Sequence, residues 1–553
     1  MNRSIWKFVY WIIIGLALCG LASQLYPVLV DYFNAEIKAI PYSASIDYGE
    51  GPLLDQTLRM SKFENIYRDS ISTPPYTVSN YPPIFILVQV PLAWIFGPAF
   101  WYGRLISLLG VLITALFICL TLRALTRDWI GAAAGGVLLL TIPYVQHWSL
   151  FDRIDNLALV LSWAALFVSV RYLGQASPVG NGSMSSAPRK GLDRTKQILG
   201  YRPFWLASIL FVCSIYTRQT YALAAPFAAF VWLILGTRGR WLDRILQAVL
   251  LGAAVAGLTL VLFLILNLAT AGGFYLNIIV ANVNSFYWDT VWNYVHQIQD
   301  KLWPLMALAG LFLACEAIVG IIRLVVWLVR RARKAPRPVP AIQTQLPKLS
   351  AWALVLPYLL AAGAGSITIG KDGSNVNYLL EFSAALSLAG GAALAWAWQW
   401  KRWYVRLPIQ IAVICFLAFQ MTIILPWNRK DYVTYMVDRM AHLDDINQVA
   451  KIVQETPGIV LADEYMGLIP LAGKQLYFQP FEFKQFSDAK VWDQTNFMAE
   501  IMNHKFDVIL WYQPRSWMDS IKARWTPAQQ DMINIYYTID EKIGDVFVMR
   551  PKK

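Results

Sequence analysis

Eleven apolar segments constrain this chain more than anything else in it. They run near residues 5–27, 105–122, 129–148, 156–173, 204–220, 221–236, 245–270, 303–329, 350–369, 378–398 and 408–426. Most approach the roughly 20 residues that a helix needs to cross a bilayer. With 57% hydrophobic and only 15% charged residues, the 553-residue chain reads as a polytopic α-helical membrane protein. The first segment follows Arg3 and Lys7 and has no small-residue cleavage site, so it is expected to be a retained helix. A twelfth stretch, 82–98, is short and begins and ends in proline; it is expected to be re-entrant or to lie in the interface.

Charge decides that point. If 82–98 does not span, Arg3/Lys7, Arg123/Arg127, the 171–203 loop with Arg189 and Lys190, Arg238/Arg240/Arg244, the 330–348 loop with Lys334, Arg337 and Lys348, and Lys401/Arg402/Arg406 share one side. The positive-inside rule makes that side cytoplasmic, with the N-terminus on it. The net charge of +13 is then a topology signal. Nucleic acid is excluded as a partner, because no basic-aromatic module appears. Residues 176–191 read as a cytoplasmic linker, which discounts the sequon at Asn181. The five cysteines, all inside apolar segments, read as small core residues without disulfides.

The outer side then holds a first loop, 28–104, with juxtamembrane helices, a turn at Asp152–Asp155, loops 271–302 and 370–377, and the tail 427–553. Residues 1–426 form the expected membrane domain. The tail is expected to be a small α/β domain outside the membrane: helix 433–455, strand 458–463, a strand around 476–478, helix 491–503, strand 506–511 and a last strand at 544–549.

Polar groups cluster on that outer side. Asp47 and Glu50 lie in the loop Ile46-Asp47-Tyr48-Gly49-Glu50-Gly51-Pro52, bent by glycine and stiffened by proline. A carboxylate held there could accept the proton of an attacking hydroxyl. A polar loop beside a membrane also carries acids for no such reason. Asp155-Asn156 suits a helix N-terminus, while Arg153 between Asp152 and Asp155 also suits a phosphate. Arg218 and Lys371 are two more outer cations that could meet an anion; Lys371 could equally pair with Asp372 or Glu381. Loop 271–302 carries Asn282, Asn284, Trp288, Asp289, Trp292 and His296, groups that suit sugar stacking or a membrane interface. The four histidines lack metal-ligand spacing; a divalent metal held by Asp47 and Asp155 stays open, without a motif.

As an ordered set these residues resemble the GT-C glycosyltransferases, in particular the bacterial branch of protein O-mannosyltransferases and the lipid A aminoarabinose transferase. The set is Asp47, Tyr81-Pro82-Pro83, Tyr102-Gly103-Arg104-Leu105-Ile106-Ser107, Arg153-Ile154-Asp155, Arg218-Gln219 and Asn377-Tyr378-Leu379-Leu380-Glu381. The resemblance spans roughly residues 1–400. It implies an inverting, in-line transfer of a hexose or pentose from a polyprenyl-phosphate donor to a hydroxyl on a lipid, glycan or protein. It implies Asp47 as the base, with Glu50 and Asp155 as further catalytic acids. It places Tyr81, Arg153, Arg218, Gln219, Lys371, Asn377, Tyr378 and Glu381 around the donor. Two departures from the protein mannosyltransferase pattern, Tyr48 in place of a glutamate and Ile154 in place of a proline, leave the acceptor class open. The competing reading is a transporter or scaffold for lipid-linked sugars. It would need a polar path through the bilayer, for which Glu316 is the main candidate.

Overall fold

The computed structural model describes residues 3–174, 191–237, 240–333, 351–513 and 524–553. Residues 176–190 of the expected linker, Asn181 among them, and Arg189, Lys190, Arg238, Lys334, Arg337 and Lys348 lie outside the described residues.

All eleven apolar segments are helical, but they are unequal. Among the described residues, eight helices are long and apolar enough to cross a membrane, and up to ten if each of two bent pairs is one span. Segment 129–148 is a bent pair, Trp129–Leu139 and Pro143–Ser149, meeting at 59°. Proline at the start of the second piece accounts for the break. Segment 204–220 ends early, at Ile215, and follows a short helix at 60°. Segment 221–236 falls in the short apolar stretch Gln219–Leu235. The helix Ile84–Phe96 has 13 residues, about 20 Å of rise, too short for the roughly 30 Å of hydrocarbon.

Helix Leu380–Trp398 forms the centre, with 89% of its apolar window buried; the windows in Trp6–Ala39 and Trp241–Ala269 are only 17% and 11% buried. The reason is side-chain size. Gly391 abuts Gly131 and Gly135 of Trp129–Leu139, so a Cβ on Gly391 would lie 2.6 Å from the Gly131 carbonyl oxygen. Small residues let the two backbones meet where apolar area alone drives no association between membrane helices.

Several boundaries differ from expectation. The first helix runs from Arg3 to Ala39 and carries Pro27 inside it, so the first loop starts about ten residues later than residue 28. Helix Trp288–Arg333 begins inside the expected loop 271–302, converting its second half to helix. Cys19 and Cys415 are exposed, whereas Cys119, Cys213 and Cys315 are half-buried, with Cys119 and Cys315 packed against the main core.

The tail contains a four-stranded sheet ordered β1-β2-β4-β3. The strands are β1 (Val460–Ala462), β2 (Val508–Tyr512), β3 (Tyr537–Ile543) and β4 (Val546–Pro551). β1 and β2 are parallel; β2–β4 and β4–β3 are antiparallel. The expected strand near 476–478 does not join this sheet. Phe478 instead bridges to Tyr76 of the first loop, with Tyr76 N donating to the Tyr477 carbonyl (2.7 Å) and Gln479 N to the Tyr76 carbonyl (3.0 Å). The aromatic run Tyr477-Phe478 is recruited there by a core around Tyr76, Phe483, Trp492 and Phe497. Tail and first loop thus share one packed interior.

Candidate active site

At the end of the helices where the tail packs, a cavity of about 530 Å³ opens. Asp47, Tyr81, Arg153, Arg218, Gln219, Lys371 and Tyr378 line it. They come from five separate stretches: the turn after the first helix, the segment before Ile84–Phe96, the turn 150–154, the break after Ile215 and the residues around 371–378.

Asp47 sits on a tight turn. Its Oδ2 accepts from Gly49 N at 3.0 Å and lies 3.4 Å from the Arg153 guanidinium. The Asp47 side chain keeps 22% exposure. Gly49 permits this pairing, since a Cβ there would collide with Arg153. Arg153 lies over the rings of Trp148 (5.3 Å) and Tyr81 (6.0 Å). Burial works against its charge, but Tyr81, Asp47 and Glu50 outweigh burial and hold the guanidinium above its ordinary range.

Glu50, three residues on, lies elsewhere. It is fully buried and outside the cavity wall. Its carboxylate takes both arms of Arg104 (2.9 and 2.8 Å) and accepts from the backbone N–H of Ile46 (2.6 Å) and Asp152 (2.7 Å). Arg104 spends its remaining donors on the carbonyls of Ala39, Tyr42 and Ala44. With every oxygen lone pair directed inward, this carboxylate is built to hold the loop and not to meet a substrate.

Asp155 is also buried and off the cavity wall. It pairs with Arg218, accepts from Trp148 Nε1 (2.6 Å) and from Asn377 Nδ2 (3.3 Å). Both oxygens are therefore engaged, which leaves Asp155 unsuited to share a metal with Asp47. Among the described residues, no three His, Cys, Asp or Glu side chains gather at a metal-sized site. Arg218 also lies 4.4 Å over the Tyr378 ring, so Asp155, Asn377 and Tyr378 together aim it at the cavity. Glu381 lies off the wall, with Oε1 buried and unpartnered. Among the described residues no ion pair joins Lys371 to Asp372 or Glu381, so its ammonium remains available to a ligand. Gln219 donates to the Asn80 carbonyl (3.3 Å).

Asn282 and Asn284 line the cavity, whereas Trp288, Asp289, Trp292 and His296 belong to the long helix and do not. Sequence reasoning missed the tail's share of the wall: Tyr435, Glu464, Gln479, Phe481, Glu482 and Arg524. Only Glu464 carried a signal, as one of an acid pair after a strand. Tyr48 Oη donates to Glu482 Oε2 at 3.1 Å. Burial pushes the Glu482 carboxyl above its usual range against the pull of Tyr48 and Arg524.

No protein-family model matches the chain, and no curated protein matches it in sequence. Solved structures do match. ArnT from Cupriavidus metallidurans bound to undecaprenyl phosphate superposes with TM-score 0.54 at 13% identity, covering 97% of this chain and 98% of that one. ArnT in the apo state gives TM-score 0.52 at 14% identity, covering 97% of each. The Archaeoglobus fulgidus oligosaccharyltransferase tethered to an acceptor peptide also matches, with TM-score 0.49, 12% identity and coverage of 96% and 74%. The class that the fold defines is a polytopic α-helical membrane protein with a small C-terminal sheet. Within that class, the two ArnT structures share the fold over nearly the whole of both chains.

Proposed function

We propose that this protein is a glycosyltransferase. It moves a monosaccharide from a polyprenyl-phosphate donor to a hydroxyl acceptor at the outer membrane face. The observation that carries the reading is that Asp47, half-buried on the turn after the first helix, shares a cavity wall with Arg153, Arg218 and Lys371. The undecaprenyl phosphate bound to the similarly folded ArnT supports a donor of that kind.

Asp47 takes the acceptor hydroxyl proton as that oxygen attacks the anomeric carbon. The new glycosidic bond forms as the bond from that carbon to the phosphate oxygen breaks. The polyprenyl phosphate leaves with the electron pair, and the configuration inverts. Arg218 and Lys371 hold the phosphate, with Gln219 and Tyr378 beside them. Arg153 keeps Asp47 oriented. A fixed base contributes about 10²–10⁴-fold in such reactions. The cavity faces outward, the N-terminus is cytoplasmic, and residues 427–553 form an extracytoplasmic domain.

The test has two parts. Thermal shift of the protein in nanodiscs against a panel of undecaprenyl-phosphate hexoses and pentoses selects the donor, and Arg218→Ala removes the shift. Asp47→Asn then abolishes transfer while the protein stays folded. No shift with any donor, from folded protein, sinks the reading. Transport of the lipid-linked sugar across protein-containing liposomes, with no transfer, would put a transporter in its place.

A further inference from the structure

The two residues that bracket the proposed base, Ile46 and Tyr48, are held from the tail. On one side, Tyr435 Oη donates to the Ile46 carbonyl at 2.7 Å. Arg439 donates to Tyr435 Oη at 3.1 Å and lies 3.9 Å from Glu464. Glu464 takes Arg524 at 2.9 Å. On the other side, Arg524 lies 4.0 Å over the Tyr48 ring. Tyr48 Oη donates to Glu482 (3.1 Å) and accepts from Phe481 N (3.1 Å). The contacts close a ring around Ile46-Asp47-Tyr48, and every member outside that tripeptide comes from residues 435–524.

The ring is polar and largely buried. Burying two arginines and two glutamates is costly unless each is paired, and here each is. A lid that only covered the cavity would manage with apolar packing. This one spends charged hydrogen bonds on the backbone and side chain adjoining a single carboxylate. Gly51 packs against Gly467, where a Cβ would lie 2.8 Å from the Gly467 Cα, so the same loop meets the tail again just beyond.

We propose that Tyr435, Arg439, Glu464, Phe481, Glu482 and Arg524 act as a positioning clamp for Asp47, with Tyr48 and Tyr435 as the residues that transmit the grip to its peptide unit. The tail is then part of the machinery that orients the base, and the proposal rests on the reading of Asp47 given above. Tyr48, Tyr435 and Glu482 are positioning residues. They act on the rate of the chemical step and leave donor binding at Arg218 and Lys371 alone.

The experiment uses the full chain in nanodiscs and the undecaprenyl-phosphate sugar that the panel selects. Tyr48→Phe and Tyr435→Phe each lower kcat about 5- to 30-fold, the range for one lost hydrogen bond to a buried group, with the donor KM changed less than about twofold. Glu482→Ala does the same, and Glu482→Gln, which keeps an acceptor for Tyr48, recovers most of the loss. Tyr48→Phe combined with Glu482→Ala is little worse than either alone, because both break one contact. Amide hydrogen exchange needs no substrate: over residues 44–50 it accelerates about tenfold in the tyrosine variants, with helix Leu380–Trp398 unchanged. Wild-type kcat and exchange in both tyrosine variants, beside an inactive Asp47→Asn, overturn the clamp and leave the base reading standing. An active Asp47→Asn overturns both.

Discussion

Asp47 and Glu50 lie three residues apart on one loop, and each faces an arginine, yet the two pairs are opposites. Glu50 and Arg104 are both 0% exposed, joined by two short contacts, with every remaining donor of Arg104 on a carbonyl. Asp47 and Arg153 meet once, at 3.4 Å, with 22% and 13% of their side chains exposed. A fully satisfied buried pair resists ligands, since any newcomer must first break charged hydrogen bonds in a medium that amplifies them. A single long contact beside a cavity leaves lone pairs free. The difference separates an acid that builds the site from one that is left open to a ligand there.

The comparison is broken most forcefully at Glu50. Glu50→Ala strands the Arg104 charge in the interior and is expected to cost about 3–5 kcal/mol of stability. Thermal unfolding in detergent reads this; a loss below about 1 kcal/mol would contradict the structural role. Asp47→Asn, by contrast, should shift stability by less than about 1 kcal/mol, because the site stays solvated.

A third carboxylate sharpens the contrast through pH. Burial raises the Asp55 carboxyl from 3.8 to about 6, against the Leu476 N–H and Arg59. The folded chain therefore holds that proton to higher pH than the unfolded chain. Its contribution to stability is complete below about pH 4 and is lost as pH rises through about 6, a change of about 3 kcal/mol. Asp55→Asn keeps an acceptor for Leu476 N and should flatten that part of the stability curve. An unchanged difference between wild type and variant from pH 4 to 7 would refute it.

The smallest effect belongs to the exposed pair Arg550–Asp540, 2.8 Å apart with 44% and 50% exposure. Asp540→Ala should cost under about 0.5 kcal/mol by the same unfolding measurement. A larger loss would mean that distance, not burial, sets the strength of these pairs.

How much of this was legible in the sequence follows from range. Apolar stretches announce helices locally, so every expected span is helical, although 129–148 is broken in two and 221–236 is short. Asp47, Arg153, Arg218 and Lys371 stood out because charges at helix ends of a membrane chain need a reason. Glu50 could not be told from Asp47, because its burial depends on Arg104, 54 residues away, and on the Asp152 backbone. Asp155 read as a catalytic acid because nothing local shows that Trp148, Asn377 and Arg218 converge on it. The tail's Phe481, Glu482 and Arg524 were silent for the same reason: they reach the cavity across more than 400 residues of chain. The start of the long helix at Trp288 was missed because Asp289, Asn293 and His296 made its first turns look like loop.

The most direct measurement is the transfer rate of Asp47→Asn, made on protein whose thermal unfolding is also recorded. The account predicts a loss of about 10²–10⁴-fold with an unfolding midpoint close to that of the wild type. Transfer within a few-fold of wild type from that folded variant would contradict it.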